Sequence, residues 1–282
     1  MKVHRVLLCG LLLVGLLVSA AGCAPAGLPL TAAPPADAQP QPSAAPQEHS
    51  LIVFAAASLT DAFTEIGTAF EAGHPGVHLT FNFASSQALR TQIEEGATAD
   101  VFASANSKEM EALTGNGKLA GEARPFARNL LTIVAPADNP AGLVTPQDLA
   151  RPGLKLVLAA EEVPVGKYAR QALGQLESLY GAGYRDSVLT NVVSNEDNVK
   201  QVVAKVQLGE ADAGIVYQSD FVAAPQLTRI EIPAEANVVA VYPITVLRES
   251  AEPALAQDFI DFVLSDAGQA TLHGWGFRSP AP

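Results

Sequence analysis

From about residue 50 onward, short continuous apolar runs alternate with longer stretches in which apolar residues recur three and four apart. The first pattern predicts buried strands and the second predicts helices with one apolar face. Residues 51–57 read as a strand, and Leu59, Ala62, Phe63, Ile66 and Phe70 then line one side of a helix. Residues 77–83 form a second strand closed by Ser85-Ser86, residues 87–95 a helix stopped at Gly96, and residues 100–103 a short third strand. A long apolar strand over 129–135 ends where Pro136, Pro140 and Pro146 break the pattern. A second series starts with a strand at 154–159, after which Glu162-Val163-Pro164-Val165-Gly166 leads into a helix carrying Ala169, Leu173, Leu176 and Tyr180. Residues 188–193 read as a strand. Residues 194–198 open a helix with Val199, Val202, Val203 and Val206 on one face, followed by a strand at 214–217. A long strand at 238–247 and closing helices carrying Leu255, Phe259, Phe262 and Val263 complete the chain.

Alternating strands and helices predict an α/β fold with mostly parallel sheets flanked by helices. Two strands, near Leu131 and near Tyr242, are placed to cross between the two series. The expected arrangement is therefore two domains with a two-segment hinge, the clamshell build of binding proteins. Domain I comprises residues 49–131 and 240–282, and domain II residues 132–239.

Composition adds a location. Lys2 and Arg5 precede an apolar run over 6–18 that is short for a membrane span, and small residues follow up to Ala20-Ala21-Gly22-Cys23. This reads as a signal peptide over 1–22. Residues 23–48 are rich in Pro, Ala and Gln and read as an unfolded tether. Cys9 lies in the segment that would be removed, so the mature chain would hold Cys23 and no partner for a disulfide. Removing Lys2 and Arg5 takes the net charge from −12 to −14. A surface so acidic repels nucleic acid, and an anionic ligand would have to be captured by local dipoles.

Such dipoles are what the junctions offer. In Phe54-Ala55-Ala56-Ala57-Ser58-Leu59-Thr60-Asp61 a strand runs into a helix through a serine, and a helix N-terminus presents unpartnered N–H groups with a partial positive charge. Ser86, the Val165-Gly166 turn and the Asn198-Val199 turn repeat the device, and Tyr217 ends a strand with a phenolic donor. Taken singly, each serine reads more simply as a helix cap and Tyr217 as a packing residue. Asp61, Glu196 and Asp197 sit where a first turn favours an acid for its own sake, and Lys167 is expected to face solvent. There is no Gly-x-Ser-x-Gly, His-Glu-x-x-His or P-loop motif, and His49, His74, His78 and His273 lack metal-ligand spacing. Trp275 is expected to pack the last helix down. The residues favour binding over catalysis.

Five strings, taken in order, resemble the periplasmic molybdate-binding proteins of molybdate ABC importers. They are Phe54-Ala-Ala-Ala-Ser58-Leu-Thr60, Phe83-Ala84-Ser85-Ser86, Gly96-Ala-Thr-Ala-Asp100-Val-Phe-Ala-Ser104-Ala, Val163-Pro164-Val165-Gly166-Lys167-Tyr168-Ala169 and Gly214-Ile215-Val216-Tyr217. The resemblance runs from about residue 51 to 277. It implies that the hydroxyls of Ser58, Ser86 and Tyr217 and backbone N–H groups at Val165 and Val199 hold a tetrahedral oxyanion, molybdate or tungstate. Val165 stands where the family often has alanine. The metal of that anion would be reached through its oxygens, with no direct protein ligand and no cofactor. The resemblance also implies an ABC permease and its ATPase as partners, and a monomer that is not an enzyme. Ala-Ala-Gly-Cys resembles the lipobox of bacterial lipoproteins, which would make Cys23 a lipid anchor to the cell or outer membrane. A plain secretory signal cut nearby is the alternative for the leader. For the ligand, the alternative is another oxyanion such as sulfate, bound for transport or for sensing.

Overall fold

The computed structural model describes residues 48–280; the leader, Cys23 and all of the expected tether except Glu48 lie outside them. His49–Ala56 (β1) passes through a 3₁₀ turn, Ala57–Leu59, into Thr60–Gly73 (α1). Val77–Ala84 (β2), Ser86–Glu94 (α2), Val101–Ala103 (β3), Ser107–Gly115 (α3) and Arg124–Ala135 (β4) follow. The next elements are Leu156–Ala159 (β5), Pro164–Tyr180 (α4), Tyr184–Thr190 (α5), Val192–Glu196 (β6), Val199–Gln207 (α6) and Ala213–Tyr217 (β7). Gln218–Ala223 (α7), Thr228–Ile230 (β8), Val239–Val246 (β9), Pro253–Leu264 (α8) and Asp266–Gly274 (α9) close the described chain.

The strands lie in the order β2-β1-β3-β9-β4-β7-β5-β6, with β8 also on β4. The outer pairs β1/β2, β1/β3, β5/β6 and β5/β7 are parallel. Every antiparallel pair involves β4 or β9, so the sheet is mixed, with parallel flanks around an antiparallel centre. Strand β4 joins the two flanks: residues 124–130 pair with β9, and residues 131–134 pair with β7. Because the crossing strands run antiparallel, the carboxyl ends of both parallel flanks can meet over one place, where ligands collect in open α/β sheets.

Local chemistry explains most elements. The apolar face expected for α1 is the one buried: Ala62, Phe63, Ile66 and Phe70 are each 1% exposed or less. Phe63 packs its ring 5.6 Å from Phe126 and 6.0 Å from Phe259, and Phe70 meets Phe259 edge-on at 5.4 Å. Burying each such ring stabilises the fold by roughly 1.5–3 kcal/mol. In α6, Val199, Val202, Val203 and Val206 are all buried, as their spacing predicts.

Two expectations are corrected. Residues 188–193 are not one strand: 188–190 belong to α5, where Tyr184 and Val188 are buried four apart behind the cap Gly183 in the left-handed region (φ 84°), and only Val192 and Val193 fall in a strand. The strand is β6, which takes in Ser194, Asn195 and Glu196, residues read as the start of a helix; the helix itself begins at Val199. As the last strand of the order, β6 is only partly covered and carries no continuous apolar run to announce it. Strand β4 is also longer than its apolar part. It starts at Arg124, and Pro125 is accommodated at an irregularity in the register with β9. Among the described residues no helix is long and apolar enough to cross a membrane.

Candidate functional site

Six strand-to-helix junctions, at the ends of β1, β2, β3, β5, β6 and β7, converge on one small cavity. Ala56, Ala57, Ser58, Ser85, Ser86, Ala105, Val163, Pro164, Val165, Asn198, Val199 and Tyr217 line it. Its volume is about 20 Å³ for the centre of a water-sized sphere. One water needs ~10–15 Å³ on that measure, so the space suits a single small solute. Among the described residues, no charged side chain lines it.

The serines are not spent on capping. The turn Ala57–Leu59 and the N-terminus of α1 show no side-chain cap bond, and Ser58 Oγ lies 3.0 Å from the Tyr242 hydroxyl. At α2 the cap position is Ser85, which also makes no side-chain cap bond, and Ser86 is the first helical residue. Ser86 Oγ accepts from the Ala105 N–H at 2.9 Å. A hydroxyl held as an acceptor on one side keeps its own hydrogen for another partner.

At α4 the N–H donors are exposed by backbone chemistry. Pro164 starts the helix without an N–H, and Val163 offers no side-chain cap. Gly166 is required there, because a Cβ at that position would lie 2.0 Å from Ala160 O and 2.4 Å from Ala159 O. Only glycine lets the first turn of α4 sit directly on the end of β5. Arg170 fastens the turn from below, with Nη1 donating to Ala159 O (2.8 Å) and Gly166 O (2.9 Å) and Nη2 to Asn195 Oδ1 (2.6 Å). At α6, Asn198 is the cap and its Oδ1 accepts from Gln201 N–H at 3.2 Å, leaving the N–H groups of the first turn ahead of it unpaired by the helix.

Tyr217 completes the wall. It is 1% exposed, and its hydroxyl has no hydrogen-bond partner among the described residues. A buried, unsatisfied hydroxyl is uncommon and asks for a reason. Burial, helped by the nearby Tyr242, drives the phenol well above its ordinary pKa, so it remains a donor. The ring of Tyr242 packs 5.9 Å from that of Tyr217.

The structure therefore gathers Ser58, Ser86, Val165, Val199 and Tyr217 at one cavity. Ser85, Ala105 and Val163 were given no binding role, though all lie in the strings already quoted, and Asn198 was named only as part of the Asn198-Val199 turn. Tyr242 carried no signal as a partner of the site, since it reaches Ser58 only through the pairing of distant strands, β9 with β3 and β3 with β1. The acids stay outside the lining: Glu196 pairs with Lys205 at 2.7 Å, Asp197 is exposed, and Asp61 lies 2.6 Å from Lys200. Asp61 thus has an ion-pair partner beyond its helix, which first-turn preference alone did not suggest. Lys167 is exposed, and Trp275 donates to Glu65 at 2.8 Å, tying the end of α9 to α1.

Two α/β halves joined by antiparallel strands, with helix N-termini and hydroxyls aimed into one uncharged cavity, define a protein built to hold a small solute. The chain belongs to the family of bacterial extracellular solute-binding proteins, whose sequence model matches residues 51–278. It is an extracytoplasmic protein of a family that binds solutes rather than transforming them. It is similar to the molybdate-binding protein ModA of Mycobacterium tuberculosis (strain H37Rv), with 44% identity over 232 residues covering 82% of this chain and 85% of the relative. Among solved structures, it shares its fold with the Azotobacter vinelandii periplasmic molybdate-binding protein (TM-score 0.71, 23% identity, 80% and 98% of the two chains covered). It also shares it with the sulfate-binding protein SubI of Mycobacterium tuberculosis H37Rv (TM-score 0.73, 20% identity, 83% and 88% covered).

Proposed function

We propose that the cavity binds molybdate, or tungstate as its equivalent, and that the protein delivers the anion to an ABC importer. The lining carries this reading, because it offers hydroxyl and N–H donors and no carboxylate. A fully deprotonated tetrahedral dianion only accepts hydrogen bonds, and donors in a dry site are strong when the set is complete. Phosphate near neutral pH keeps a proton that would find no carboxylate to receive it. The donors we assign are the hydroxyls of Ser58, Ser86 and Tyr217 and the N–H groups of Val165 and Val199. The metal would then be held through its oxygens, with no direct ligand from the protein and no cofactor.

The similarity to a molybdate-binding relative at 44% identity supports this choice of anion. The fold does not select it, since a sulfate-binding protein shares that fold. Sulfate is accordingly the second reading, and size must separate the two. Titration calorimetry with molybdate, tungstate, sulfate and phosphate tests both.

We further read residues 49–131 and 240–282 as one moving half and residues 132–239 as the other, hinged where β4 and β9 cross. Ligand would favour the closed form, which alone completes the donor set. Small-angle scattering should show a smaller radius of gyration with molybdate, and an unchanged radius would argue for a rigid site. Cys23 is read as the lipidated N-terminus of a monomer that works beside a permease and its ATPase. Cys23→Ser should leave the protein outside the membrane fraction, and retention there would overturn the anchor.

A further inference from the structure

Lys200 occupies an unfavourable place for its own helix. It is the second residue of α6, where the partial positive charge of the N-terminus repels a cation. Its Nζ nevertheless reaches two acids on two other elements. Asp61 Oδ2 of α1 is 2.6 Å away, and Asp220 Oδ1 of α7 is 3.5 Å away. The Asp220 side chain is fully buried, and its Oδ1 has no hydrogen bond, so the ammonium is the group nearest to compensating it. The other carboxylate oxygen, Oδ2, accepts from the Tyr217 N–H at 3.2 Å. Each partner stands beside a different part of the cavity wall. Asp61 is three residues beyond Ser58, Lys200 follows Val199, and Asp220 is three beyond Tyr217.

We propose that Lys200 is a positioning residue for the oxyanion site, clamping the junctions that carry Ser58, Val199 and Tyr217 through Asp61 and Asp220 and so setting the lifetime of the closed cavity. The clamp has two effects. It joins α6, which follows the first crossing strand, to α1, which precedes it, so opening the cleft breaks the Lys200–Asp61 contact. It also neutralises two carboxylates that would otherwise lie unpaired behind the wall of a site for a dianion. The groups facing the Asp220 carboxylate are Lys200 from α6, Asp61 from α1 and the phenols of Tyr217 on β7 and Tyr242 on β9. Lys200 is the one cation in that set. Removing it leaves a buried acid whose ionisation is disfavoured by burial and by Asp61 and no longer offset by an ammonium.

The proposal rests on the oxyanion reading of the cavity, and the test separates the two. Full-length parent, Lys200→Met, Lys200→Arg, Asp61→Asn and the Lys200→Met/Asp61→Asn double variant are compared, with melting curves as a check on folding. Molybdate affinity is measured by calorimetry, and release by exchange against excess tungstate. Lys200→Met should weaken affinity at least tenfold, mainly through faster release, and Lys200→Arg should recover most of the loss. The double variant should lose less than the product of the single effects. Affinity of Lys200→Met should also fall as pH rises above 7, as Asp220 ionises near the dianion, while the parent, whose Asp220 ionises at lower pH beside the Lys200 ammonium, changes little over that range. A residue that only supported folding would not create that pH dependence. Parent-like affinity, release and pH profile in Lys200→Met would overturn the clamp while leaving the oxyanion site standing. If the parent bound no oxyanion, the oxyanion reading itself would fail. The clamp would then be judged by a double-mutant cycle on unfolding, where coupling between Lys200 and Asp61 supports it and zero coupling overturns it.

Discussion

Replacing Tyr217 by Phe should move stability and binding in opposite directions. In the closed arrangement the hydroxyl is buried without a partner among the described residues, so closing without ligand carries the desolvation cost of an unsatisfied group, about 1–3 kcal/mol. Phenylalanine removes that cost and keeps the ring that packs on Tyr242. The ligand-free variant should therefore be as stable as the parent or more so, by up to about 3 kcal/mol if the ligand-free cleft is closed. With molybdate bound, the same hydroxyl would make a hydrogen bond to a charged acceptor, worth about 1.5–3 kcal/mol, so affinity should fall roughly ten- to a hundredfold. Ligand present at 1,000 times the parent's Kd stabilises the parent by about 4 kcal/mol. After a hundredfold loss, the same concentration gives about 1.4 kcal/mol. Urea unfolding with and without molybdate, together with calorimetry, reads both quantities on one preparation. A variant that was less stable without ligand, yet bound molybdate as the parent does, would refute the assignment of this hydroxyl to the ligand and make Tyr217 a packing residue.

Ser86→Ala should cost both properties, because it leaves the Ala105 N–H without its acceptor as well as removing a donor; a loss of about 1–3 kcal/mol in unfolding free energy should accompany weaker molybdate binding. Gly166→Ala should force α4 off the end of β5, destabilising the fold by about 1–3 kcal/mol and weakening binding through the displaced Val165 N–H, both measurable by melting and calorimetry. Burial, opposed in part by Lys200, pushes the Asp220 carboxyl up to about 6 from an ordinary 3.8. A raised acid favours the fold when protonated, so its contribution is full below about pH 4 and is lost as pH rises through about 6. Asp220→Asn should remove that loss and gain about 2–3 kcal/mol relative to the parent on going from pH 4 to pH 7.5, as read by urea unfolding at the two values.

The parts of this structure that were legible in the sequence are those in which one local signal decided the outcome. The apolar faces of α1 and α6 follow from helical spacing, and the junctions at Ser58, Ser86, Val165 and Val199 follow from apolar runs that end in serine, proline, glycine or asparagine. Features that depend on pairing between distant segments were not legible. Tyr242 meets Ser58 across 184 positions, and Lys200 meets Asp61 across 139. The exchange of α5 for a strand has a similar origin. Val188 and Leu189 fit either period, and only the buried Tyr184 four residues earlier selects the helix. Polar residues in the edge strand β6 hid it for the converse reason.

The central claim is that a cavity of hydroxyl and N–H donors, without charged side chains, selects a dianion that carries no proton. Titration calorimetry of the soluble fragment from residue 48 at pH 7.5, with molybdate and phosphate in turn, tests it most directly. The account predicts a Kd for molybdate at or below about 1 μM, near −8 kcal/mol. Phosphate should bind at least about a hundredfold more weakly. Equal affinity for phosphate, or no binding of molybdate, would contradict it.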